Sequence, residues 1–321
     1  MEEQAKDPTT SRLPRDPSRP RYERPPLSQP LDRRGLALVI LGTLLWTSNS
    51  IAIKFALTGL PPYTLMAARA SLATVLLLAV VRWQRLPFPT SRTAWLGAIF
   101  LGVFQLAVSG TLFFWALQYL PVGRAQILGA VQPFLTVIAA HFLISGERLR
   151  PRMVIGLSMG FVGVVIVTLS RGGNLGGDSL AADAAVLGGA TIATFGNILI
   201  KRIGYRWRML SLVTAQMATT AVVMLVVASL FEGNAPKVLS PASLGGLLYL
   251  ATVGSGLAFF VNYYVVRRYE VGIVSSFVFL QPVFAVVLGA LILGEEITWT
   301  TVFSLFLVSA GIIYMNQRRR R

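Results

Sequence analysis

The chain has 321 residues, 54% of them hydrophobic and only 13% charged, with a formal net charge of +16 and a mean hydropathy of +0.65. A soluble domain carries about 25% charged residues, so a soluble enzyme or nucleic-acid-binding domain is excluded and the basic excess has to belong to tails and short loops. With no cysteine there is no disulfide, thiolate zinc site or cysteine nucleophile.

Residues 1–34 are rich in Arg, Pro and Ser without an apolar period. Such a segment cannot bury enough surface to offset its conformational entropy, and the expectation is a disordered tail. It also lacks the apolar core and small-residue cleavage site of a classical signal peptide. Ten apolar runs follow, at 36–56, 62–81, 94–116, 122–144, 152–170, 184–203, 209–231, 244–265, 271–293 and 297–315. Each spans about 20 residues, enough to cross a hydrocarbon core of about 30 Å. They are continuously apolar rather than alternating, which selects helices over a closed barrel. The loops after the second, fourth, sixth and eighth runs are rich in Arg and Lys, from Arg82 and Arg85 to Arg267 and Arg268. Those after the odd-numbered runs hold only Arg124, Arg171 and Lys237. The positive-inside rule then puts both termini, including the basic tail 317–321, in the cytoplasm.

The two halves repeat one pattern. Gln132-Pro133 lies midway along an apolar run ending in Gly146-Glu147, and Gln281-Pro282 lies midway along another ending in Gly294-Glu295. Asn49 corresponds to Asn197, and Phe113-Phe114 to Phe259-Phe260. Each unit holds an odd number of runs, so the second enters the membrane upside down relative to the first. The expected fold is an all-α integral membrane protein of ten transmembrane helices built as two inverted five-helix repeats. The units are 35–171 and 184–316, joined by an external glycine-rich linker at 172–183. Inverted repeats place a substrate site near the bilayer midplane between the halves. The linker glycines lack the Gly-Lys-Ser/Thr ending of a phosphate loop.

The Trp46-x-x-Asn49-x4-Lys54 stretch, Arg69, the two Gln-Pro pairs with their following Gly-Glu, and the duplicated layout together resemble the EamA family of the drug/metabolite transporter superfamily. The resemblance covers about residues 36–315. It implies a bacterial inner-membrane permease of ten helices, often an exporter of amino acids or related metabolites, and it does not fix the substrate. Arg69 has no basic counterpart in the second half, where the chain reads Thr214-Ala215-Gln216-Met217, so the two halves differ in charge.

Candidate substrate-binding residues are Trp46, Asn49, Arg69, Gln132, Asn197 and Gln281. An intramembrane ionisable residue is a functional candidate by default. Arg69 could attract a substrate's anionic group, or pair with carbonyls at a helix end. Lys54 could snorkel to the outer interface. Pro133 and Pro282 each free a carbonyl one turn back, and that carbonyl needs a polar partner or a water-lined cavity. Gln132 and Gln281 could bind substrate or repair that broken ladder. Asn49 and Asn197 could equally make interhelical hydrogen bonds. Trp46 lies deep enough to line a cavity, whereas tryptophans and tyrosines at span ends suit interface anchoring. Gln105, Trp115, Tyr119, Asn262 and Tyr263 complete the polar and aromatic set, and His141 suits a packed or interfacial place.

Glu147 and Glu295 stand at opposite faces as an inverted repeat requires, and could act as gates; Glu147 could instead pair with Arg148 or Arg150. Gly156-x-x-x-Gly160 with Gly163 permits close helix packing, and would also suit a homodimer. The expected partners are a small-molecule substrate and the lipid bilayer, with no nucleic acid, cofactor, metal or catalytic residue. The leading reading is a secondary transporter of small polar metabolites such as amino acids or their derivatives. Multidrug or organic-cation efflux would prefer a mid-membrane carboxylate, a membrane enzyme would need an acid–base or metal constellation, and a non-transporting scaffold or sensor would want an output domain.

Overall fold

The computed structural model describes residues 32–143, 151–169, 177–203, 208–235, 237–258, 261, 265 and 280–316, and among these all regular secondary structure is helical. The helices are α1 (Arg33–Leu57), α2 (Pro62–Trp83), α3 (Arg92–Ala116), α4 (Val122–Leu143), α5 (Pro151–Leu169), α6 (Gly177–Ile203) and α7 (Met209–Phe231). Then come α8 (Pro241–Tyr249, running on through Leu250–Leu257), α9 (Leu280–Leu293) and α10 (Trp299–Asn316). Among the described residues, six stretches are long and apolar enough to cross a membrane: α1, α2, α3, α4, Asp178–Gly196 of α6 and Leu210–Phe231 of α7.

Local chemistry sets the helix ends. Asp32 caps α1 by accepting the Gly35 N–H at 2.6 Å, and Ser240 caps α8 by accepting from Ser243 at 3.1 Å. The N-caps of α2 and α4 are Pro61 and Pro121, neither of which offers a capping side chain. The linker expected over 172–183 is shorter than the sequence suggests, because α6 begins at Gly177. Asp178 in its first turn complements the helix dipole, and the polar Asp183, which reads as linker by composition, is a fully buried helical residue. Likewise α1 starts at Arg33, inside the expected tail 1–34. Residues 1–31, 144–150 (with Gly146-Glu147), 262–264 (with Asn262 and Tyr263), 271–279 and the tail 317–321 lie outside the described residues.

Three of these helices depart from regular α geometry. α4 breaks between Val122–Gly129 and Val131–Leu143, with Ala130 at the joint. Position 133 is proline and supplies no N–H to the carbonyl of Gly129, which is where the first segment stops. α3 contains a π-helical stretch, Leu101–Val108, and α8 contains another, Leu250–Leu257. A π turn displaces carbonyls from their usual partners. Here the Thr220 hydroxyl of α7 is shared between its own Gln216 carbonyl at 2.8 Å and the Gly102 carbonyl at 2.9 Å, and Ser255 donates back to Leu250 at 3.0 Å.

Packing is reciprocal between the halves. α1 lies against α8 and α9, while α6 lies against α3 and α4; α2 pairs with α7, α5 with α10, and α4 with α9. The α5 glycine face is used inside this scheme. A Cβ at Gly160 would strike the Phe134 ring, one at Gly163 would come within 2.8 Å of Val308, and one at Gly311 of α10 within 2.6 Å of the Gly156 carbonyl oxygen. Close backbone approach at small residues is how helices associate where the surroundings are apolar. Large apolar side chains such as Val75, Phe161, Leu230, Leu291 and Phe306 point outward, as they would toward lipid. Trp83 and Trp299, at helix ends, are also exposed.

Candidate functional site

A cavity of about 320 Å³ opens where α1, α2, α3, α4, α6, α7 and α9 converge. Five of the six sequence candidates line it: Trp46, Asn49, Arg69, Gln132 and Gln281, together with Pro282. Both described Gln-Pro elements therefore reach one space. The α4 break explains the first of them, since Gly129 and Ala130 at the joint and Gln132 beyond it all face the cavity. The side chains of Asn197 and Pro133, and all of Glu147, lie outside the described set.

Arg69 is the one charged side chain among the described residues that line the cavity. Its Nε donates to Ser255 Oγ at 3.2 Å, and its guanidinium lies 5.6 Å from the Phe114 ring centroid. The Ser255 hydroxyl proton is committed to Leu250, so its lone pairs face the guanidinium. The π stretch of α8 thus supplies the oxygen that orients Arg69. Neither a hydroxyl nor a ring face neutralises the charge, and no carboxylate among the described residues pairs with Arg69.

Asn49 is held beside the same α8 stretch. Its side chain is buried against Gly254, where a Cβ would collide with Oδ1. That oxygen is buried with no hydrogen-bond partner among the described residues. Gln126 donates to Ser50 Oγ at 2.7 Å and so ties α4 to α1. Trp46, Phe113 and Phe114 supply an aromatic flank. Sequence reasoning missed Gln126, Ser50, Ser109, Thr220 and Ser255. The first two carry no same-face signal, since Ser50 is one residue from Asn49 and Gln126 is six from Gln132 across the α4 break. Ser255 carries none either, because its placement depends on the π stretch.

The candidate gate Glu295 lies away from this cavity, at the bundle end where the loops after α1, α3, α7 and α9 gather. Gly294 ends α9 with φ +69°, a conformation only glycine adopts without strain. The turn returns the Glu295 N–H to the Gly289 carbonyl at 3.1 Å. It also aims the carboxylate at the start of α4, where it accepts from Val122 N at 2.6 Å and Gly123 N at 3.3 Å. This is the work of the Gly-Glu pair in the second half. Glu232, which the sequence did not single out, does the same for α2, accepting from Tyr63 N at 3.0 Å and from Thr64 N and Oγ1 at 2.6 and 2.8 Å. These carboxylates replace the caps that Pro121 and Pro61 cannot provide. Nearby, Arg124 grips the buried Asp183 through Nε at 3.0 Å and a second nitrogen at 2.6 Å. All three links join a helix of the first half to the second half.

Lys54 is half-buried in the field of Glu295 and does not line the cavity. Tyr119 packs tilted against Trp115 with ring centroids 5.0 Å apart, outside the cavity. His141 packs against Phe142 on α4.

Residues 33–169 and again 180–317 match the EamA-like transporter family. The chain is 29% identical to the uncharacterized inner membrane transporter YedA of Escherichia coli strain K12, over 84% of this chain and 88% of that protein. It is 27% identical to an uncharacterized transporter of Archaeoglobus fulgidus, over 86% and 94%. It is 26% identical to a probable amino-acid metabolite efflux pump of Salmonella typhimurium, over 89% and 95%. A solved crystal structure matches with a TM-score of 0.64 at 22% identity, covering 88% of this chain and 96% of that one, a likeness of fold alone.

Proposed function

The chain belongs to the EamA-like transporter family and is an integral membrane protein, and on that premise we propose that it is a secondary transporter of small polar metabolites, amino acids or their derivatives foremost. Substrate binds at the cavity lined by Trp46, Asn49, Arg69, Gln132 and Gln281. The observation that carries this reading is the meeting of both Gln-Pro elements in one cavity among the helices. The probable amino-acid metabolite efflux pump among the relatives favours the same substrate range.

The fold acts as ten spans in two inverted units, with both termini in the cytoplasm of a bacterial inner membrane. Three observations support this: the twice-matching family pattern, the reciprocal packing of α1 with α8 and α9 against α6 with α3 and α4, and the π stretches at corresponding places in α3 and α8. Alternating access is rocking of the two units about the cavity. The carboxylates Glu232, Glu295 and Asp183 then form a seal on the outer side, since each link crosses between the units. Glu295 keeps the gating role, exercised through the α4 N-terminus. The lone guanidinium disfavours organic-cation efflux.

Counterflow of labelled metabolites in proteoliposomes of the purified full chain tests the proposal. Flux of at least one small metabolite is expected, falling more than tenfold in Gln132→Ala and Gln281→Ala proteins that remain monodisperse. Absence of flux across amino acids, organic acids, sugars, nucleosides and organic cations refutes it.

A further inference from the structure

Charge accounting inside the cavity goes further than the family does. An occluded carrier must bring its cavity through a region of low dielectric, where an uncompensated charge costs several kcal/mol. Among the described residues the cavity holds one fixed cation, Arg69, and its terminal nitrogens have no partner there. No acid among the described residues serves it. Asp183, Glu232 and Glu295 are engaged at one end of the bundle, and the sequence has no Asp or Glu within the middle of any apolar run. A substrate with one net negative charge makes the loaded cavity neutral. A zwitterion leaves it at one positive charge and places an ammonium in the field of the guanidinium with no carboxylate to receive it. A cation doubles the charge.

A second observation sets the rest of the ligand. Trp46, Phe113 and Phe114 flank the cavity and accommodate an apolar side chain. Asn49 Oδ1 is buried against Gly254, a residue outside the lining, and offers no acceptor to a ligand.

We infer that the cavity selects monocarboxylates that carry no cationic group, the chemistry shared by N-acylated amino acids and 2-hydroxy acids, and rejects free amino-acid zwitterions. This rests on the transporter reading and narrows its substrate class.

The test is counterflow in proteoliposomes of the full chain with a matched series: N-acetylphenylalanine, phenyllactate, phenylalanine, hydrocinnamate and phenylalaninamide. N-acetylphenylalanine and phenyllactate should exceed phenylalanine by roughly 100-fold in kcat/KM, the penalty of an unpaired buried charge. Hydrocinnamate, also a monoanion, should stay with them, and phenylalaninamide should not move. Arg69→Lys should keep the order of substrates and Arg69→Gln should abolish it. Equal or faster transport of phenylalanine or its amide overturns the inference and leaves the transporter reading intact. So does flux of other solutes with none of these anions. No flux of any solute overturns both.

Discussion

Glu295→Gln separates a seal from a mere helix cap. The wild-type carboxylate accepts a short hydrogen bond from Val122 N at 2.6 Å and a long one from Gly123 N at 3.3 Å. Glutamine keeps one oxygen for Val122 but loses the negative charge at the helix N-terminus, a loss of about 1 kcal/mol. Glu295→Ala removes both acceptors and orphans two N–H groups, a loss of about 2 kcal/mol or more. If the contact exists only while the outer side is sealed, the open fraction rises about fivefold in the glutamine variant and about 30-fold in the alanine variant. The chain has no cysteine, so a single Ala130→Cys at the cavity wall reports its accessibility. Labelling by a membrane-impermeant maleimide, added outside intact cells, should accelerate by those factors. Unchanged labelling in both variants, with thermal stability lowered, would mean that Glu295 caps α4 in every state and gates nothing.

Two further outcomes are expected. Asp183→Asn removes the bidentate partner of Arg124, whose side chain is 14% exposed while that of Asp183 is fully buried. The loss should be about 3 kcal/mol by thermal unfolding in detergent, with Arg124→Gln added to the same chain recovering part of it; no recovery would show that the charge pair is not the cause. Gly254→Ala places a methyl against the Asn49 amide, an overpacking of about 1–3 kcal/mol, and should abolish transport. Gly256→Ala, whose Cβ meets nothing within 4 Å, should leave transport unchanged; equal effects of the two would argue against a specific Asn49 contact.

The membrane class and the helix positions were legible because continuous apolar length is a property of the chain itself. α2, for example, ends within two residues of its expected boundary at 81. The family and the convergence of Trp46, Asn49, Arg69, Gln132 and Gln281 were legible because the Gln-Pro pair with its following Gly-Glu is written twice in the sequence. One signal went unread: Pro61 and Pro121 cannot cap the helices they precede, so α2 and α4 had to find carboxylates elsewhere.

Which carboxylates they found was a tertiary decision. Glu232 and Glu295 lie far from Tyr63 and Val122 along the chain, and no periodicity links them. Asp183 and Arg124 each read as a loop charge until folding buried Asp183 and brought Arg124 onto it. The π stretches were equally hidden, since an i→i+5 turn is stabilised by partners such as Thr220 on another helix rather than by local propensity. Length and hydropathy act within a segment and are written in it. Caps, ion pairs and displaced carbonyls are satisfied between segments, and so exist only once the helices have packed.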